Sequence, residues 1–331
     1  MKGKNFIGKY MRGRLGNQLF QYAAMRQVQE INGNKDKLYI NFSRYVYSLG
    51  FENGLKDFKI KPYLEVNRIE ISVLQGISIF FDKIIKRVYR QLNPKKYKKF
   101  RYDFENRRAA KMQKRGIYWK EDGALKLSPT GAKNKILIGH FESSKNFDTI
   151  RDCLLKEIQP INPPLVKNKN MYDSILNTES VCVSIRRGDF VNNVKFSKNF
   201  NVCGVDYFEN AIKLMKKYVK NPVFVIFSDD IEWCKKNIPV NTDRVIFEDG
   251  DDPVWEKLRL MYSCKHFIIS NSTFSWWAQY LSRNNKKIVI APKVWSKFGY
   301  NGDLYDRSWI LLDNCSKQCS DEKANWKEVN K

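Results

Sequence analysis

Histidine is nearly absent from this 331-residue chain, which contains only His140 and His266. Two histidines are too few for most zinc schemes and give no suitable base for a serine or cysteine hydrolase triad; no Gly-x-Ser-x-Gly turn occurs either. The seven cysteines are scattered, none in a Cys-x-x-Cys pair, and only Cys315 and Cys319 are close neighbours. The expectation is a cytosolic protein with reduced thiols and no structural metal. No run of eighteen apolar residues is present, so no bilayer-spanning helix is expected. The opening MKGKNFIGKYMRGRLGNQ lacks the apolar stretch and small-residue cleavage site of a secretory signal. Gly-x-Gly-x-x-Gly and a P-loop are also missing, as are internal repeats and low-complexity tracts other than one basic segment.

What is present is ample apolar and aromatic content, 43% and 14%, enough for two buried cores at this length. The net charge is +25, which favours anionic partners: nucleic acid, an acidic membrane surface or a phosphorylated small molecule. The charge is uneven, with fourteen Lys or Arg between Lys83 and Arg115 against two acids, Asp103 and Glu105. Within the segment 77–115, Ile77, Phe80, Phe81, Ile84, Ile85, Val88 and Leu92 recur at helical spacing among Lys83, Lys86, Arg87 and Arg90. One reading is a core-packing helix with a solvated basic face; the other is a helix lying on an anionic membrane surface.

The second half alternates short β-branched runs with helical patterns. Strands are expected at Val181–Ile185, Val223–Phe227, Arg244–Phe247, His266–Ile269 and Lys287–Ile290, with helices over Asp206–Val219, Val254–Cys264 and Phe274–Leu281. This spacing is that of βαβ units in a parallel sheet. Ligands of such sheets bind at the carboxyl ends of the strands. Three strands end in polar clusters: Arg186–Asp189, Ser228–Asp230 and Ser270–Thr273. The first half is less regular, with strands at Phe6–Met11 and Lys135–Ile138 and a helix from Leu19. Asn162-Pro163-Pro164 marks a linker, giving domains 1–162 and 163–331.

Several clusters could carry chemistry. Arg186 and Arg187, leaving a strand tip, could neutralise a diphosphate, with Gly188 permitting the turn and Asp189 holding a guanidinium; a surface ion pair is the plainer alternative. Gly13–Tyr22, GRLGNQLFQY, sets Gly16, Asn17 and Gln18 before a helix start, where amide groups favour an anion, or where Asn17 serves as an N-cap. In Ser270–Trp277, SNSTFSWW, hydroxyls and amides suit a phosphate, or Ser272 and Thr273 simply cap the helix while Trp276 and Trp277 pack in the core. Among the acids, Asp229, Glu256 and the Asp249-Gly250-Asp251 run stand out. The last fits a metal-holding Asp-x-Asp pattern, although a solvated loop or helix-N-terminal charge is the better explanation.

Taken in order, GRLGNQLFQYA, GHFESSKNF, IRRGDF, CGVDYF, FSDD and CKHFIISNSTFSWWAQYL resemble the blocks of the bacterial α-1,2-fucosyltransferases, a family that includes the animal galactoside 2-α-L-fucosyltransferases. The resemblance runs from Arg12 to about Trp295. It implies a GT-B-like fold of two facing Rossmann-type α/β domains with parallel sheets, the first on the acceptor side. It also implies a GDP-β-L-fucose donor, inversion at the anomeric carbon, no metal or other cofactor, and a terminal galactose as acceptor. By motif, Arg186 contacts the donor β-phosphate and Asp189 helps shape that site. The donor-binding set implied is Arg187, Ser184, Asn17, Gln18, Gly16, Asp229, Glu256, Ser272 and Thr273. Asp189 and Glu142 are candidates for accepting the acceptor proton. One departure stands out: Ser184 and Phe190 occupy positions where the family usually has histidine and often tyrosine. The competing classes are a metal-dependent sugar transferase using Asp249-Gly250-Asp251 and a basic membrane- or nucleic-acid-binding protein centred on Lys83–Arg115. With the transferase reading, partners are the sugar nucleotide, a glycan acceptor and a membrane surface, not nucleic acid.

Overall fold

The computed structural model describes residues 5–238, 240, 244–297 and 303–314, with the side chains of Lys195 and Phe196 set aside. Cys315 and Cys319 lie outside these residues. Contacts divide the chain into two units, Met1–Ile161 with Gly302–Tyr305, and Asn162–Asn301 with Asp306–Lys331.

Unit 1 runs β1 (Phe6–Tyr10), α1 (Leu15–Ile31), β2 (Lys37–Asn41), β3 (Tyr63–Glu65), α2 (Val73–Leu92), α3 (Tyr97–Lys114), β4 (Ile117–Trp119), β5 (Asn134–Ile138) and α4 (Arg151–Glu157). Its five strands pair in the order β3-β2-β1-β5-β4, parallel throughout. Helix α1 begins four residues before the expected Leu19. Leu15 is buried with its side chain under Gly54, and Gln18 is fully buried, so packing pulls the first turn upstream. Gly16, Asn17 and Gln18 are therefore inside the first turn, and the N-cap is Arg14, in extended backbone; Asn17 is not the cap.

Helix α2 forms where expected, but not with its apolar side in the core. Its buried residues are Gln75, Ser78, Ile79, Asp82 and Lys86. Val73, Leu74 and Leu92 are 78%, 65% and 74% exposed, and Phe80 and Phe81 60% and 57%. A core-packing helix with a solvated basic face is thus overturned. Of the helix's apolar residues only Ile79 joins the local core, with Met112, Ile117 and Trp119. The physical reason is the set of polar partners offered by α3 and β4. Lys86 reaches Glu105 at 2.7 Å and sits 3.4 Å over the Trp119 ring, while Asp82 pairs with Arg108 at 2.7 Å. Burial pushes Lys86 below and Glu105 above its ordinary value, though each partner opposes the shift in the other. A buried pair of this kind does little for net stability but is costly to break from one side, about 3–5 kcal/mol. It fixes which way the helix faces.

Unit 2 runs α5 (Lys169–Asn177), β6 (Glu179–Ile185), α6 (Gly188–Asn192), α7 (Val194–Phe200), α8 (Val205–Tyr218), β7 (Pro222–Ser228), α9 (Ile231–Asn237), β8 (Val245–Phe247), α10 (Val254–Ser263), β9 (His266–Ile269), α11 (Thr273–Leu281), β10 (Val289–Pro292) and β11 (Ile310–Leu312). The six strands order as β11-β10-β9-β6-β7-β8, all parallel. Counted from β6 this is the 3-2-1-4-5-6 order of a doubly wound sheet, whose direction reverses between its first and fourth strands. The β6 and β7 runs are buried from Val181 to Ile185 and Pro222 to Ser228, as a sheet covered on both faces requires. Tyr207, Phe208, Ala211, Ile212 and Met215 of α8 complete that core. Trp276 and Trp277 of α11 are buried, as the packing alternative for them required.

Candidate active site

In unit 2 the reversal point falls between β6 and β9, and β7 flanks β6 on its other side. The three polar strand ends therefore sit on adjacent tips of one sheet edge. From β6 come Arg186 and Arg187, and from β7 come Asp229 and Asp230. Arg186 places Nη1 2.7 Å from Asp229 and Nη2 3.3 Å from Asp189. Asp229 also accepts the Arg187 backbone N–H at 2.8 Å. Arg187 donates Nε to Asp230 at 3.1 Å and lies 3.4 Å over the Trp233 ring. Each guanidinium is thereby oriented by a carboxylate yet keeps 21–24% of its side chain open to solvent. This is the arrangement in which a planar cation can receive phosphate oxygens in fixed geometry. A Cβ on Gly188 would lie 2.3 Å from the Asp229 carboxylate, so a side chain there would displace Asp229 from the arginines.

The third tip is the start of α11. Ser272 is the N-cap and accepts the Phe274 N–H at 3.3 Å; its own hydroxyl proton is still available for donation. Thr273 opens the helix, whose positive end favours an anion. Ser184 is buried, and its hydroxyl shares a 2.7 Å hydrogen bond with Ser275, itself 3.2 Å from Ser270. A chain of three small hydroxyls thus fills the space beneath the tips where a histidine was expected. Glu256 is fully buried on α10 and accepts N–H groups from Leu165 and Asn168 at 2.9 and 3.3 Å, with Arg259 at 3.5 Å. It ties down the segment entering unit 2. Asp251 and Asp252 both pair with Lys167, at 2.6 and 2.9 Å. Among the described residues no three His, Cys, Asp or Glu side chains are grouped to hold a metal ion.

In unit 1 a second polar group forms at the carboxyl ends of β1, β4 and β5. Gly139, at φ +105°, approaches Lys120 so closely that a Cβ would lie 1.8 Å from its carbonyl oxygen. That approach brings the β5 exit to the β4 exit, where His140 N–H donates to the Glu121 carbonyl at 3.2 Å. The Glu121 carboxylate meets Arg12 at 3.2 Å and the Trp119 indole N–H at 3.1 Å. Burial alone would raise the Glu121 carboxyl, yet His140, Arg12 and the indole together hold it down at about 2. Burial depresses His140 despite Glu121 and Asp122 nearby. Burial, reinforced by Asp122, pushes Glu142 up to about 8. Glu121 had no sequence signal, since β4 is three residues long. Gln18 is spent structurally: its amide donates to the Gly13 and Glu52 carbonyls, both at 2.8 Å, and accepts from Gly54 N–H. Gly16 and Asn17 lie beside it in the first turn of α1.

Unit 2 is thus a doubly wound α/β unit with two clamped arginines and a helix N-terminus at its reversal point. The chain belongs to glycosyl transferase family 11, whose model matches residues 109–313. An Escherichia coli protein named α-1,2-colitosyltransferase is 39% identical over 161 residues, 48% of this chain and 55% of that protein. The E. coli O-antigen biosynthesis glycosyltransferase WbnK is 28% identical over 319 residues, 91% of this chain and 98% of that one. Human galactoside α-(1,2)-fucosyltransferase 1 is 34% identical over 104 residues, 31% and 28% of the two chains. The chain thus spans nearly all of WbnK, about half of the colitosyltransferase and under a third of the human enzyme. Among solved structures, NodZ α-1,6-fucosyltransferase superposes with a TM-score of 0.48 at 12% identity, covering 84% of this chain and 92% of that one.

Proposed function

We propose that this protein transfers L-fucose from GDP-β-L-fucose to the 2-hydroxyl of a terminal galactose, with inversion and without a metal. The observation that carries the reading is the pair of arginines on the β6 tip, each aligned by an aspartate at the reversal point of the sheet. The bond from fucose C1 to the β-phosphate oxygen breaks and GDP departs with growing negative charge. Arg186, Arg187 and the Ser272–Thr273 helix start receive that charge; fixed cations and dipoles aimed at developing charge are the most effective stabilisers available to a site. Asp189, Asp229 and Asp230 keep the guanidiniums in place. Ser184 supports the tips from below, and Glu256 acts by fixing the entry to unit 2. The galactose O2 attacks C1 and gives up its proton, for which Glu142, a carboxyl pushed up to about 8 by burial, and Asp189 are the candidate acceptors. Asp189 is the weaker candidate, because Arg186 already engages it. The acceptor is presented at a cytoplasmic membrane surface.

One relative's name favours a second donor, a sugar nucleotide carrying colitose. The test is turnover of both labelled donors on galactose-terminated acceptors in excess EDTA, with product stereochemistry read by NMR. A strict metal requirement, a retained β-anomer or no transfer from either donor would sink the proposal.

A further inference from the structure

We infer that the apolar face of α2 is a docking surface for an anionic lipid bilayer. The helix is inside out. Gln75, Ser78, Asp82 and Lys86 recur every three or four residues, so they share one face. That face is locked to unit 1. The Gln75 amide donates to the carbonyls of Arg115 and Asn134 at 2.9 and 2.8 Å. Ser78 accepts from Arg115 at 2.5 Å, Asp82 pairs with Arg108, and Lys86 with Glu105. Rolling the helix to hide its apolar side would strip all four of their partners. The opposite face, with Leu74, Ile77, Phe81, Ile84, Val88 and Leu92 along it, is left in water. At 3.6 residues per turn these and their apolar neighbours cover roughly 140° of the helix circumference for about 30 Å. An exposed apolar stripe of that extent marks an interaction site.

Charge selects the occupant. Lys83, Arg87 and Arg90 line one flank of the stripe, and Lys95, Lys96 and Lys99 follow it, all exposed. Between Val73 and Arg115 the exposed acid is Asp103, since Asp82 and Glu105 are buried in ion pairs. An isologous contact with a second copy would therefore bring cation to cation with no exposed acid on α2 to relieve it. No helix among the described residues is long and apolar enough to cross a membrane. Phenylalanines and branched aliphatics beside a cationic flank instead match a helix lying in the headgroup plane of negatively charged lipid. The inference holds whichever sugar is transferred.

Sedimentation of the full chain with phosphatidylcholine vesicles, with and without phosphatidylglycerol, provides the test. Binding is expected to be at least tenfold tighter with the anionic lipid. Phe80→Ser/Phe81→Ser/Ile84→Ser should weaken it at least tenfold on both compositions. Lys83→Gln/Arg87→Gln/Arg90→Gln should remove most of that anionic preference, at about fivefold per cation. Leu74→Ser/Leu92→Ser, at the stripe's two ends, is an independent variant should the triple serine protein not fold. Transfer to a soluble acceptor should not change, which separates a failure here from a failure of the proposed reaction. The inference is overturned if the full chain stays in the supernatant with both lipids, or if folded serine variants bind as tightly as the parent. It is also overturned if the parent is a dimer that these serines dissociate and neither form binds vesicles.

Discussion

Arg186→Ala is the substitution that most directly tests the donor site. Arg186 and Arg187 face three carboxylates, Asp189, Asp229 and Asp230, so the group already carries a surplus negative charge, and the alanine variant doubles it. Two losses then act on a departing diphosphate. A hydrogen bond to a charged partner contributes about 1.5–3 kcal/mol. A cation 4 Å from a unit charge contributes about 4 kcal/mol at an effective dielectric of 20, which exposure of about a quarter of the side chain cuts to roughly half. Together these give about 3–5 kcal/mol, or about 10²- to 10⁴-fold in kcat/KM. Arg186→Lys keeps the charge but loses the fork, so its deficit should be closer to tenfold. Asp229→Asn added to Arg186→Ala removes one uncompensated carboxylate and should recover roughly tenfold, because charges in direct contact do not add independently. The assay is transfer of labelled fucose under donor-limiting conditions, with thermal unfolding recorded alongside. If Arg186→Ala retains kcat/KM within threefold of the parent, the arginine is a structural tie and the reasoning fails.

Other outcomes follow from named contacts. If Glu142 is the base, kcat/KM should rise with pH toward a plateau above about 8, its folded value, and Glu142→Gln should abolish that rise and cost about 10²–10⁴ in rate. The same shift sets a stability signature: a carboxyl raised on folding stabilises fully below its unfolded value near 4.3 and loses that contribution as pH climbs through about 8. Melting of Glu142→Gln should therefore gain on the parent between about pH 4.5 and 8 and keep a constant lead above that. Ser184→His would force an imidazole onto the buried Ser184–Ser275 contact and should cost about 1–3 kcal/mol by overpacking; an unchanged melting temperature would refute the crowding. Lys86→Met alone should cost about 3–5 kcal/mol by stranding Glu105, while Lys86→Met/Glu105→Leu should cost far less, as read by urea unfolding.

The parallel sheet of unit 2 was legible because its long strands are buried on both faces and end abruptly in charge. Val181–Ile185 followed by Arg186-Arg187 shows this directly, and the adjacency of the three tips followed from strand order. Unit 1 was harder. Strands β3 and β4 are three residues each, too short for periodicity to register, so Glu121 passed unseen. The start of α1 was set by Leu15 and Gln18 packing against the 52–54 loop, a tertiary effect that a local reading of Asn17 as a cap does not contain. Helix α2 teaches the sharper lesson. Its periodicity correctly gave a helix and two faces, but periodicity cannot say which face turns inward when α3 and β4 offer charged partners. Glu256 looked like one more acid near a strand end, and only the coordinates assign it to the entry segment.

The return of Gly302–Tyr305 to unit 1 has a bearing on how such chains can be recombined. Asp303 accepts from the Ala124 backbone N–H at 2.9 Å, from the Tyr102 hydroxyl at 3.2 Å and from Lys145 at 2.8 Å, while Ser143 donates to its carbonyl at 3.0 Å. Unit 1 is thus closed by residues that follow most of unit 2 in the chain. The chain then goes back to unit 2, whose last strand β11 follows this return. A chimaera that joins a foreign unit 2 after Ile161 must bring along an equivalent of Asp303, or unit 1 loses four hydrogen bonds at the loops beside Glu121 and His140. Exchange of unit 2 within the family is therefore expected to succeed when the segment carrying Asp303 stays matched to unit 1, which takes three junctions, and to fail as a simple tail replacement.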